Sequence, residues 1–113
     1  MTKIINLTPH TITIKTEAKT YTIEPSGIVA RVDQVPRAVG YIGDTGITYI
    51  KYDYTDVKDL PEPYHDTIYL VSSIVLAAIK GRDDVYAPDT SSRSVMRDEK
   101  GNIIAVKNLV KGG

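Results

Sequence analysis

An α+β fold is what this sequence predicts, built as a mostly antiparallel, twisted β-sheet around one short buried helix. Three observations carry that expectation. Short runs alternate apolar and polar residues with a period of two, as in Thr11–Thr16 and Thr20–Glu24. One segment, Ile74–Lys80, is apolar nearly all round. Gly, Pro, Asp and Ser cluster between the runs and punctuate them. The 113 residues suffice for a single domain, 1–113, with a hydrophobic core that needs no covalent staple.

The elements follow in order. Ile12 and Ile14 point to one side of their run, and Tyr21 and Ile23 repeat the pattern after Glu17-Ala18-Lys19. The pair reads as a β-hairpin with one wet face. Pro25-Ser26-Gly27 is a turn, and Ile28–Val32 reads as a third strand. Residues 33–40 read as loop because Pro36 and Gly40 interrupt them. A short strand at Tyr41-Ile42 and the turn Asp44-Thr45-Gly46 lead into a strand over Gly46–Tyr54. Leu60-Pro61-Glu62-Pro63 can only be an extended connector, since proline removes donors and restrains its neighbours.

Beyond it the pattern changes. Thr67–Val71 reads as a buried strand. Ser72-Ser73 then cap a helix over 74–80 whose stop signals are Lys80 and Gly81. Asp84–Ala87 is a further strand, close enough for a tight parallel crossover. A hairpin closes the pattern, Ser94–Arg97 and Asn102–Val106, around Asp98-Glu99-Lys100-Gly101.

Charge and composition exclude whole classes of function. Formal net charge is zero, so no basic face recruits a nucleic-acid polymer. Without cysteine there is no disulfide, thiolate metal site or thiol nucleophile. Met1-Thr2-Lys3-Ile4 lacks the apolar core of a signal peptide, and Ile68–Ile79 is too short to span a bilayer. The expectation is therefore a cytoplasmic protein with no membrane partner. Eight Tyr stand without Phe or Trp. Tyrosine suits half-buried sheet faces, and equally a stacking surface or a contact between copies in a homo-oligomer.

Each candidate for chemistry has a plainer alternative. Asp44-Thr45-Gly46 matches the aspartic-protease triplet, but Gly43 stands where an apolar residue is needed, and the predicted helix precedes Gly81-Arg82 rather than following it. The triplet is more simply a turn. His10 and His65 lie far apart, and Asp83, Asp84 and Asp89 read as turn aspartates, so no metal or cofactor is expected. No Gly-x-Ser-x-Gly elbow is present. The chain reads as a binder rather than an enzyme.

The strongest binding signal is Ser72-Ser73, where a strand turns into a helix and backbone N–H groups and hydroxyls suit a phosphate. The plainer role is capping. The loop Pro88-Asp89-Thr90-Ser91-Ser92-Arg93 lies at the same ends of the strands, so Asp89 and Thr90 join the candidates. Arg93 and Arg97 supply a cationic fork or are surface charge. Asn6, Thr8 and His10 form a polar corner that either rims the site or is an ordinary turn.

The run Ile5-Asn6-Leu7-Thr8-Pro9-His10-Thr11-Ile12 resembles small proteins of phages and prophages, and so do Pro25-Ser26-Gly27, Ile68–Ser73, Arg82–Asp89 and Arg97-Asp98-Glu99. Some phage proteins of this type and size are immune-evasion sponges of the anti-CBASS and anti-Thoeris kinds, which bind cyclic nucleotide second messengers without cleaving them. The resemblance implies such a binder in the cytoplasm of an infected bacterial host. The alternative is a viral protein-interaction module or minor virion component acting through a Tyr-rich sheet face.

Overall fold

The computed structural model describes residues 1–112 and resolves ten strands and one helix into three sheets. The strands are β1 (Lys3–Asn6), β2 (Ile12–Lys15), β3 (Thr20–Ile23), β4 (Gln34–Tyr41), β5 (Thr48–Tyr54), β6 (Thr67–Leu70), β7 (Val85–Pro88), β8 (Val95–Arg97), β9 (Ile103–Val106) and β10 (Leu109–Lys111). The helix α1 (Ser73–Ala78) lies between β6 and β7. One sheet has the order β1-β6-β7-β10, a second β3-β2-β9-β8, and β4 pairs with β5 alone.

The expected mostly β fold with one short helix is present, and the antiparallel expectation holds in part, since the sheets are mixed. β1 with β6, β6 with β7 and β2 with β9 are parallel, and the remaining pairs are antiparallel. The tight crossover β6–α1–β7 is real, with Tyr69 opposite Val85 and Leu70 opposite Tyr86. Alternation along these strands sorts the core into two layers. Tyr69, Val71, Val85 and Ala87 face Val75, Leu76 and Ile79 of the helical segment. Leu70 faces the other way, against Ile12, Ile14 and Val106 of the second sheet. The first sheet is thus covered on both faces, as parallel strands require.

The helix is shorter and less enclosed than its sequence suggests. Ser72 is the N-cap, its hydroxyl accepting from Val75 N–H at 3.4 Å. The helix stops at Ala78, and Ile79 turns to extended backbone while keeping its side chain in the core. Gly81, at φ +74°, serves the turn beyond rather than the helix end. Ile74 stays 40% exposed, so only one face is buried.

Ile28–Val32 is not a strand. It runs irregularly, with Ala30 buried and its N–H on the Leu7 carbonyl at 3.0 Å. Residues 34–40, expected as loop, are instead most of β4. Every residue of β4 and β5 except Gly40 is exposed, and the pair projects as an arm. The radius of gyration is 17.0 Å, against about 13 Å for a compact chain of this length. No helix is long and apolar enough to cross a membrane among the described residues.

Candidate functional site

Three parallel neighbours, β1, β6 and β7, open their carboxyl ends in the same direction. The segments that follow them therefore meet, although they lie far apart in sequence: the Asn6–His10 corner, Ser72-Ser73, and Pro88–Thr90. Ligands commonly bind beyond such strand ends. A groove of about 550 Å³ lies there, with Thr8, His10, Ser72, Ser73 and Thr90 among its lining residues. Its far wall comes from the second sheet, through Ile12 and Thr13 of β2 and Ile103–Val106 of β9. The parallel β2–β9 pairing, Ile14 opposite Val106, holds that wall together.

Asn6 builds the corner rather than the rim. It is 1% exposed, and all its amide hydrogen-bonding capacity is spent internally. Nδ2 donates to the carbonyls of His10 (2.7 Å) and Ile23 (3.0 Å). Oδ1 accepts from Thr8 N–H (2.9 Å) and Thr8 Oγ1 (2.7 Å). The corner thus ties β1 to the ends of β2 and β3 and presents the exposed His10 at the groove.

A second groove of about 660 Å³ adjoins the first across a ridge formed by Ser73, Pro88 and Thr90, which line both. Its lining includes Lys80, Lys111, Asp89 and Ser91. Asp89 Oδ1 accepts from Ser91 N–H at 3.0 Å, and that bond holds its carboxyl below the usual carboxylate range. Lys80 and Lys111 make no ion pair among the described residues.

The cations expected at the site are placed differently. Arg93 and Arg97 are exposed and line neither groove. Arg97 Nη1 donates to the Gly101 carbonyl at 2.7 Å, closing the β8–β9 turn. In that turn Asp98 accepts from the N–H groups of Asn102 and Lys100, which lower its carboxyl. The six-residue helix also gives little dipole to an anion, and the Ser72 hydroxyl already serves as its cap. Lys80 and Lys111 were missed for a reason. Lys80 reads as a helix stop signal, and Lys111 lies past the last strand that alternation marks.

The other candidate triplet is remote. Asp44-Thr45-Gly46 forms the tip of the arm, where Thr45 N–H and hydroxyl both donate to the Ile42 carbonyl. Asp83, Asp84 and Asp89 do not gather either, since Asp84 is paired with Arg82 (2.8 Å). Comparison with protein-family models, with curated protein sequences and with solved structures finds no match to this chain.

Proposed function

We propose that the chain binds a small cyclic nucleotide and sequesters it without cleaving it. The observation that supports this is the convergence of three strand ends on an apolar-floored groove with a polar rim, beside a second groove carrying two lysines. The volume lies within the usual range for small-molecule sites. In this reading the base rests on Ile12 and the Ile103–Val106 wall, where apolar surface covers its faces. The sugar meets Thr8, His10, Ser72 and Ser73. The phosphates cross the ridge at Ser73 and Thr90 to reach Lys80 and Lys111. Retention without cleavage fits the hydroxyl of Ser72 and the carboxylate of Asp89, which are both occupied in local turns. The phage setting and the immune-evasion role rest on the sequence resemblance alone.

A melting screen with cyclic dinucleotides, cyclic trinucleotides and cyclic ADP-ribose isomers tests the proposal, with AMP as control. A true ligand at a hundred times its dissociation constant adds about 2.7 kcal/mol, a rise on the order of ten degrees for a domain of this size. Lys80→Ala and Lys111→Ala are each expected to weaken binding about tenfold, since a hydrogen bond to a charged group contributes roughly 1.5–3 kcal/mol. Ser73→Trp fills the ridge and is expected to abolish binding while the fold persists, because Ser73 is exposed. Arg97→Ala should bind as the parent does. A panel with no ligand, or full affinity in both lysine variants by calorimetric titration, would sink the assignment.

A further inference from the structure

The β4–β5 arm has a polar face, an apolar face and one open edge. Register places Gln34 opposite Tyr54, Pro36 opposite Tyr52 and Ala38 opposite Ile50. Those residues share one face, where Ile50, Tyr52 and Tyr54 are each about half exposed. The opposite face carries Arg37, Lys51 and Asp53 beside Val35 and Tyr49, with Arg37 Nε on Asp53 Oδ2 at 3.0 Å. Isolated two-stranded hairpins are marginal in water. An amphipathic hairpin without packing from its own body therefore lacks part of its support.

The edges are unequal. Thr55 N–H bonds the Asp33 carbonyl at 2.9 Å, which makes that a hydrogen-bonded pair. Pairs alternate along an antiparallel ladder, so the amides of residues 34, 36 and 38 point outward from β4. The same alternation turns those of Ile50, Tyr52 and Tyr54 outward from β5. On β4 the outward position 36 is proline, which has no N–H, and a register shift follows between Ala38 and Gly40. Both features blunt an edge. On β5 there is neither, and its outward N–H and C=O groups form an unbroken row.

We propose that the occupant of this edge is the β5 strand of a second copy of the chain, paired antiparallel about a two-fold axis at Tyr52. The geometry of that pairing is fixed by the alternation. Tyr52 meets Tyr52 of the partner subunit, and Ile50 meets Tyr54 of the partner subunit, in hydrogen-bonded pairs. On the polar face Lys51 stands opposite Asp53 of the partner subunit, and the reverse contact follows by symmetry. Opposite charges and aromatic–aliphatic neighbours are the cross-strand pairs that stabilise a sheet. A shift of one residue in either direction breaks the charge pairing. The two arms then form one four-stranded antiparallel sheet with the blunted β4 strands outermost, an isologous and closed arrangement. The assembly is independent of the ligand groove, so its failure leaves the nucleotide proposal standing.

Sedimentation velocity over roughly 1 µM to 1 mM protein tests it. The parent is expected to dimerise. Lys51→Asp places carboxylates opposite one another, and Asp53→Lys places ammonium groups opposite one another. Each is expected to weaken the dimer about ten- to a hundredfold. An equimolar mixture of the two variants restores opposite charges at both contacts and is expected to dimerise like the parent. Tyr52→Pro removes the central outward N–H and should leave monomer, with circular dichroism reporting whether the arm itself survives. A monomeric parent across the whole range overturns the proposal. Undiminished dimers of both charge variants, or a mixture that stays monomeric, overturn it as well.

Discussion

Replacing Asn6 with alanine is expected to destabilise the fold by about 3 kcal/mol. The physical reason is that truncation strands several partners at once. Thr8 N–H loses its acceptor, the Ile23 carbonyl loses the amide donor, and the His10 carbonyl and Thr8 hydroxyl keep only their bond to each other, at 3.0 Å. Each buried group left unsatisfied costs roughly 1–3 kcal/mol. Water can reach the exposed His10 segment and recovers part of this, which sets the expected value below the simple total. Denaturant unfolding of the parent and of Asn6→Ala measures it, and the loss in melting temperature should be on the order of 15 °C. Asn6→Asp is expected to be worse at neutral pH, since it removes both donors and buries a charge among carbonyls. A cost below about 1 kcal/mol for Asn6→Ala would mean that the corner is not what joins β1 to β2 and β3.

The second large effect belongs to Arg82. Its guanidinium donates to both oxygens of Asp84, at 2.8 and 3.0 Å, and to the Pro61 carbonyl at 2.9 Å. The two side chains are only 17% and 14% exposed. These bonds fasten the Leu60–Pro63 connector to the residue before β7. Arg82→Ala leaves a largely buried carboxylate without a partner, and about 3 kcal/mol is expected to be lost. Replacing both residues by apolar side chains of similar volume should recover much of that.

The same pair sets an acid dependence. The hydrogen bond from Arg82, helped by its charge, holds the Asp84 carboxyl below its ordinary range despite the opposing effect of burial. Its stabilising contribution is therefore complete above the unfolded value of about 3.9 and is lost as pH falls from there through the lowered folded value. Arg82 is raised from an already high value, so it stays charged throughout this window. The parent should lose more stability than Asp84→Asn between neutral pH and strong acid. Parallel acid dependences of the two would remove the pair from the account.

Local chemistry in the sequence marks what it can mark. The Ser72 cap, the β2–β3 and β8–β9 hairpins, the Pro61–Pro63 connector and the turn at Gly101 all follow from residues within a few positions of each other. β4 was hidden because Pro36 reads as a breaker, whereas its nitrogen faces an open edge where no partner is needed. Ile28–Val32 has strand-like composition but finds no strand beside it; Ala30 binds Leu7 once, and Arg31 exchanges an isolated pair of bonds with Lys58. β1 and β10 are short, and their pairing is decided by distant partners. The candidate site shares that difficulty. Ser72, Ser73 and Thr90 follow from the crossover pattern, but their meeting with Thr8 and His10 depends on β1 lying parallel to β6. The displacement of the cations from Arg93 and Arg97 to Lys80 and Lys111 depends on β10, which no periodicity announced.

The parallel pairings have a kinetic side. Lys3 closes on Thr67, and Ile14 closes on Val106. The first sheet cannot begin until more than half of the chain is available, and the second cannot join its two hairpins until nearly all of it is. Only the hairpins β2–β3, β4–β5 and β8–β9 are local enough to form early. Loop-closure entropy must be met before such distant contacts return anything, so the rate-limiting event should be the docking of β1 and β2 onto late segments. Folding is then expected in the millisecond-to-second range typical of non-local β topologies. Until that docking, the β4–β5 arm, with its open β5 edge, is among the few local structures available to the chain. On the two proposals above, newly made chains would present the surface proposed for self-association before the candidate groove has been assembled.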